Sequence, residues 1–106
     1  MKVAIYGYEL CTSYKNIGEF VRESEFKVDE VVLLQKPMSI NSAEKWGRKY
    51  GVPITYFPKN TSYQRKMCDY VDGIIFIRLR RSKHAYYVKL LKELRSWEVP
   101  IFIGEK

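Results

Sequence analysis

The chain has 106 residues, of which 46% are apolar and 15% aromatic, so it suits one domain with a packed core and lacks the composition of a disordered protein. Its 19 lysine and arginine residues against 12 acidic ones give a net charge of +7 at pH 7. This charge favours an anionic partner and also fits a basic surface that only keeps the protein soluble. A single histidine and two cysteines without metal-type spacing argue against a zinc site.

Alternating apolar and amphipathic segments predict nine elements. A glycine, Gly51, follows the second helical pattern at the position where helices often end in the left-handed conformation. Apolar runs of this kind are typical of buried strands, and helical spacing of the apolar residues marks the segments between them. In chain order the elements are a strand at 2–7, a helix from a cap at Thr12 or Ser13 to about residue 24, a strand at 28–34, a helix from Asn41 or Ser42 to Tyr50, a strand at 53–57, a helix from Thr61 or Ser62 to about Val71, a strand at 73–77, a helix from about Ser82 to Trp97, and a strand at 100–103.

This order predicts the fold class. Strands that alternate with helices favour a parallel sheet covered on both faces, and right-handed crossovers favour a doubly wound arrangement. We therefore expect a single α/β Rossmann-like domain over residues 1–106, with five strands in the order 3-2-1-4-5. No apolar run approaches the roughly 20 residues that span a membrane, and no secretory signal pattern is present. We expect a cytoplasmic protein with no membrane partner.

The predicted fold places a ligand site outside the carboxyl ends of the first and fourth strands, where the strand order reverses. Three segments meet there: residues 7–13, residues 35–41 and residues 78–84. The predicted ligand-binding residues are Gly7, Tyr8, Glu9, Gln35, Lys36, Ser39, Arg78, Arg80, Arg81, Ser82, Lys83 and His84.

The strongest local signal is the basic segment at residues 78–84, which contains four cations and the histidine. It precedes a predicted helix, and helix N-termini attract anions. We interpret it as an anion site, with a solvated basic turn as the alternative. His84 has no partner in the sequence that would identify it as a base, and neither the dinucleotide fingerprint nor the P-loop is present. We assign no catalytic residue and no metal ligand.

Several segments, in order, match a known pattern. Residues 43–54 are similar to "A-E-x-W-A-x-x-x-G-I-P-V", and residues 72–76 are similar to "A-D-A-V-I-A-F". Together with the strand and glycine at 3–7, they resemble the SLOG superfamily of Rossmann-like nucleotide-binding domains, and within it the small YspA-like branch, over nearly the whole chain. The resemblance implies binding of a nucleotide or another phosphorylated ligand.

The chain departs from that family at its binding loops. Residues 33–40 replace the glycine-rich "S-G-G-A-R-G-A-D" loop, and Glu9 stands where the family has arginine. Tyr63 and Gln64 replace "R-N", and the chain lacks the "P-G-G-x-G-T" loop of the phosphoribohydrolases in the related LOG branch. These departures favour a non-catalytic binding module in which cationic side chains replace the lost glycines.

Three alternatives stay open at this point: a nucleic-acid-binding protein with a basic face, a structural or protein-interaction domain without a ligand, and an enzyme. A basic stripe that continues through Lys45, Arg48 and Lys49 would favour nucleic acid, whereas cations confined to the switch point would favour a small anion. We also expect a homodimer that packs through the last helix, whose apolar residues are Tyr86, Tyr87, Leu90, Leu91 and Leu94.

Overall fold

The computed structural model describes residues 1–7, 14–35, 42–58, 61–78 and 85–105. The elements in these ranges are β1 (Lys2–Gly7), α1 (Tyr14–Ser24), β2 (Glu30–Gln35), α2 (Ser42–Tyr50), β3 (Ile54–Pro58), α3 (Thr61–Tyr70), β4 (Gly73–Arg78), α4 (Ala85–Arg95) and β5 (Ile101–Glu105).

The five strands form one sheet in the order β3-β2-β1-β4-β5, and every neighbouring pair is parallel. This confirms the predicted fold class and strand order. The physical basis is the continuous apolar character of the strands, which requires cover on both faces of the sheet. β1 lies at the centre of the sheet, between β2 and β4.

Alternation along the strands divides the core into two clusters. Val3 and Ile5 of β1 belong to the cluster under α1 and α2, whereas Ala4 and Tyr6 belong to the cluster under α3 and α4. Successive strand side chains point to opposite faces of a sheet, so β1 contributes to both clusters with its four consecutive buried residues.

Some element boundaries differ from the predicted ones. Gly51, which follows the last residue of α2, has φ of 68°, in the left-handed region that the sequence predicts for this position. The last helix ends at Arg95 and not at Trp97, because the backbone N–H and the hydroxyl of Ser96 both donate to the carbonyl of Glu93, at 3.1 and 2.5 Å. These hydrogen bonds connect residues that are three positions apart, whereas those of an α-helix connect residues four positions apart, so the α-helical pattern ends here.

Candidate functional site

The topology creates a switch point between β1 and β4. The connection that leaves β1 leads to β2 on one side, whereas the connection that leaves β3 leads to β4 on the other side of β1. In open α/β sheets, adjacent connections that diverge in this way leave a crevice at the carboxyl ends of the two strands. The predicted ligand-binding segments begin at this edge of the sheet.

Three of the predicted site residues are the last residues of their strands. Gly7 ends β1 and lies in register with Ile77 of β4, so the chain at Arg78 extends one residue beyond Gly7. Gln35 ends β2, the other neighbour of β1. The remaining predicted residues lie outside the described part of the chain: Tyr8, Glu9, Lys36, Ser39, Arg80, Arg81, Ser82, Lys83 and His84.

The structure adds an acidic residue to this edge that the sequence analysis missed. Glu105 ends β5 and lies in register with Arg78, and its side chain is exposed. The predicted fifth strand stopped at residue 103, two positions short of this pairing. An acidic residue therefore ends the strand next to β4, at the edge of the sheet where the basic segment begins.

The cations of α2 do not form a free basic stripe. Lys45 is exposed, but Arg48 forms a salt bridge of 2.5 Å with Glu44. Lys49 donates a hydrogen bond of 3.2 Å to the hydroxyl of Tyr14, and its ammonium lies 4.9 Å from the centre of that ring. This contact raises the pKa of Lys49 and lowers the pKa of Tyr14. Two of the three cations are thus engaged within the protein.

A second acidic residue, Glu44, connects α2 to β3. It is 7% exposed, and besides the salt bridge to Arg48 it accepts a hydrogen bond from the hydroxyl of Tyr56. Burial of the Tyr56 hydroxyl, and then this bond and the negative charge of Glu44, raise the pKa of Tyr56 to about 12. Tyr56 lies in the middle of β3, so this network stabilises the helix–sheet contact and does not belong to the switch point.

The Tyr56 network predicts a measurable change in titration. In Glu44→Gln the pKa of Tyr56 is expected to fall but to stay above its usual 10.0, because burial is the largest cause of the shift and the substitution removes only the negative charge. Since the pKa in the folded protein is raised, this tyrosine stabilises the fold below about pH 10, and the contribution is lost as the pH rises towards about 12. NMR titration of ¹³C-labelled tyrosine measures the pKa, and Tyr56→Phe assigns the signal. An unchanged pKa in Glu44→Gln would contradict this account.

Another polar cluster occupies the opposite edge of the sheet. Tyr70 of α3 donates a hydrogen bond to Glu30 at the start of β2, and the Lys2 ammonium at the start of β1 lies 4.2 Å from the centre of the Tyr70 ring. The bond to Glu30 is the main cause that raises the pKa of Tyr70, and a hydrogen bond with Thr55 partly opposes it. Because these residues lie at the amino ends of the strands, the cluster joins α3 to the sheet away from the switch point.

The exposure of the side chains of α4 limits which of them can contact a second copy in the predicted homodimer. Leu94 is 1% exposed and belongs to the second core cluster, so it is not available to a partner, and Leu91 is half-buried against the same cluster. Among the described side chains of α4, the large apolar one that is exposed to solvent is Val88, at 66%. The homodimer stays a prediction, with Val88 as its best-placed contact.

Comparisons with known proteins add no identification. No family model, curated protein or solved structure matches the chain. Within the described ranges, no helix has the length and apolar character to cross a membrane, and no three histidine, cysteine or acidic side chains come together as a metal site. The resemblance to the SLOG superfamily stays a prediction.

Proposed function

We propose that this protein binds a small phosphate-bearing ligand, such as a nucleotide, at the carboxyl ends of β1 and β4. The observation that carries the proposal is the register of these strands, in which Gly7 lies opposite Ile77 and Arg78 follows directly. The sequence continues from Arg78 into the rest of the basic segment, and β4 ends at the edge of the sheet where folds of this kind bind ligands.

The residue types suit a phosphate group. Guanidinium groups bind phosphate oxygens with two parallel hydrogen bonds and need no special backbone conformation. Gly7 has no side chain and allows a ligand to approach the end of the central strand. Arg78, Arg80, Arg81 and Lys83 would then take over the part that a glycine-rich loop plays in the SLOG superfamily, which this chain resembles. The proposal includes no catalytic step.

A small anion is favoured over nucleic acid as the ligand. Duplex or single-stranded nucleic acid needs a continuous track of cations along the backbone, and Arg48 and Lys49 are engaged by Glu44 and Tyr14. Glu105 ends β5 in register with Arg78 and adds an acidic residue at this edge of the sheet. The contacts of Arg48 and Lys49 interrupt the basic stripe that the nucleic-acid alternative requires, so we favour a single phosphate group as the ligand.

Titration of the full chain tests the proposal. We expect ATP to bind and to raise the melting temperature, since a ligand at about 100 times its Kd adds about 2.7 kcal/mol to the free energy of unfolding. Calorimetry with ATP, inorganic phosphate and a single-stranded oligonucleotide, each at low and high salt, identifies the ligand class.

Two results would contradict the proposal. Tighter binding of the oligonucleotide, with a steep fall in affinity as salt rises, would favour the nucleic-acid alternative. Absence of binding by both ATP and phosphate at low salt would leave a structural or protein-interaction domain.

A further inference from the structure

A groove of about 840 Å³ lies between α1 and α2, on the outer side of the first core cluster. Its walls are formed by α1, by the segment that joins α1 to β2, and by the second half of α2 with the residues that follow it. At its floor the indole of Trp46 packs against Gly18, where a Cβ atom would lie 3.2 Å from Nε1. The two helices therefore meet closely at the floor, and a partner contacts the groove from the side away from the sheet.

The charged side chains that line the groove carry both signs. Three are cations and two are carboxylates, and all are exposed: Lys15, Glu19 and Arg22 of α1, and Glu25 and Lys27 directly after it. None of them forms a salt bridge with a residue in the described ranges. Because the two signs nearly balance, a small ion of one charge does not match this surface. A matching partner presents charges of both signs.

The order of the charges along α1 is complementary to itself in reverse. Lys15, Glu19, Arg22 and Glu25 alternate in sign. In a symmetric dimer the same surface of both copies forms the contact, and a two-fold axis perpendicular to α1 places the two copies of this helix antiparallel. Lys15 of one copy then lies opposite Glu25 of the other, and Glu19 lies opposite Arg22 in the same way.

Both pairs fit one register of the two helices. The midpoint of Lys15 and Glu25 is residue 20, and the midpoint of Glu19 and Arg22 lies between residues 20 and 21. These midpoints differ by half a residue, which is under about 1 Å along an α-helix. The other exposed carboxylate of α1, Glu23, falls opposite the uncharged Gly18. No two like charges of α1 therefore face each other in this register.

Apolar side chains between the charges supply surface to bury. Tyr50 is 60% exposed, and its ring lies 5.7 Å from that of Trp46. Val21 and Phe26 are half-buried beside the first core cluster and line the groove as well. A second copy of α1 that lies over the groove removes these side chains from water, and aromatic residues are enriched in the contacts between proteins.

The groove suits a second copy better than α4 does. Each chain carries a net charge of +7, so two copies repel each other except where their surfaces are nearly neutral. The exposed charges described on α4 are the cations Lys89, Lys92 and Arg95 and one carboxylate, Glu93. A symmetric contact through α4 would bring these cations together, with Val88 as the exposed large apolar side chain among those described on that helix.

We propose that the groove between α1 and α2 is the contact surface of a symmetric homodimer. The α1 helices of two copies pack antiparallel, each over the groove of the other copy. Lys15 pairs with Glu25 across the two-fold axis, and Glu19 pairs with Arg22. This surface takes the place of α4 in the predicted homodimer and does not depend on the function proposed at the switch point.

Charge reversal tests the proposed pairing. Sedimentation equilibrium of the full chain at low salt is expected to show a dimer. Glu19→Arg places two guanidinium groups against each other, and Arg22→Glu places two carboxylates against each other. Because each change occurs twice in a symmetric dimer, each is expected to raise the dimer Kd at least about tenfold. Both positions are exposed, so the far-ultraviolet circular dichroism should match that of the wild type.

A mixture of the two variants separates direct pairing from a general effect of charge. In an equimolar mixture of Glu19→Arg and Arg22→Glu, each chain supplies the charges that the other lacks, so a heterodimer should form with a Kd within about threefold of the wild-type value. The double variant Glu19→Arg/Arg22→Glu should form a homodimer of similar affinity. High salt should weaken the wild-type dimer, since it screens exposed charge pairs.

Glu93→Arg and Lys92→Glu are the matched controls, because they reverse one exposed charge of each sign on α4. Both should keep the dimer Kd within about twofold of wild type. A wild-type chain that stays monomeric at high micromolar concentration and low salt would overturn the proposal. A dimer that persists unchanged in Glu19→Arg, a mixture that stays monomeric, or equal weakening by the α4 controls would overturn it too.

Discussion

Replacement of Phe76 by alanine is expected to lower the free energy of unfolding by about 3–5 kcal/mol. Phe76 is 1% exposed and is among the largest fully buried side chains. It lies in β4, opposite Tyr6 of the central strand, within the cluster under α3 and α4. The loss is large against the total of about 5–15 kcal/mol that stabilises a typical domain. Urea unfolding at 25 °C measures it, and Phe76→Leu, with an expected cost of about 1 kcal/mol, gives a measurable variant if the alanine protein is unfolded.

The two-cluster core also predicts additivity. Leu33 of β2 is 1% exposed and belongs to the other cluster, and β1 separates β2 from β4. The change Leu33→Ala should therefore add to Phe76→Leu within about 0.5 kcal/mol. Val88→Ala, at an exposed position of α4, is the control and should change stability by less than about 0.5 kcal/mol. A strong coupling between Leu33 and Phe76 would contradict the separation of the two clusters by the sheet.

The substitution Arg78→Ala/Arg81→Ala is expected to weaken ATP binding at least tenfold, which is about 1.4 kcal/mol. Each guanidinium group can make charge-assisted hydrogen bonds to phosphate oxygens, and an alanine makes none. We expect both side chains to be exposed, so the melting temperature should stay within about 2 °C of wild type, since substitutions at exposed positions change stability by under about 0.5 kcal/mol. Calorimetry for the affinity and a thermal melt for the stability give the two values.

Lys92→Ala/Arg95→Ala is the matched control, since it removes two exposed cations from α4 and leaves the basic segment intact. ATP should bind this control within about twofold of wild type at physiological salt, where distant surface charges are screened. Equal affinities of the wild type and the Arg78 and Arg81 variant would exclude these residues as the phosphate contacts.

The fold was predictable because each of its elements has a local signal. The buried strands are continuous apolar runs, and the turn after α2 has the glycine that its φ of 68° requires. The boundaries were less predictable, because they depend on individual hydrogen bonds. α4 ends where Ser96 donates hydrogen bonds to the carbonyl of Glu93, and the spacing of apolar residues in the sequence does not predict these bonds.

By itself, the sequence determined the parallel α/β architecture and the strand order, since these follow from periodicity and the handedness of crossovers. It also determined that the basic segment begins at the end of β4. Only the tertiary structure decided that Glu105 lies beside Arg78, that Lys49 is bound to Tyr14, and that Trp46 faces Gly18. Each of these pairs is separated by more than 25 residues along the chain. Their contacts depend on strand register and on the packing of one helix against another, and neither is specified by the local pattern of residues.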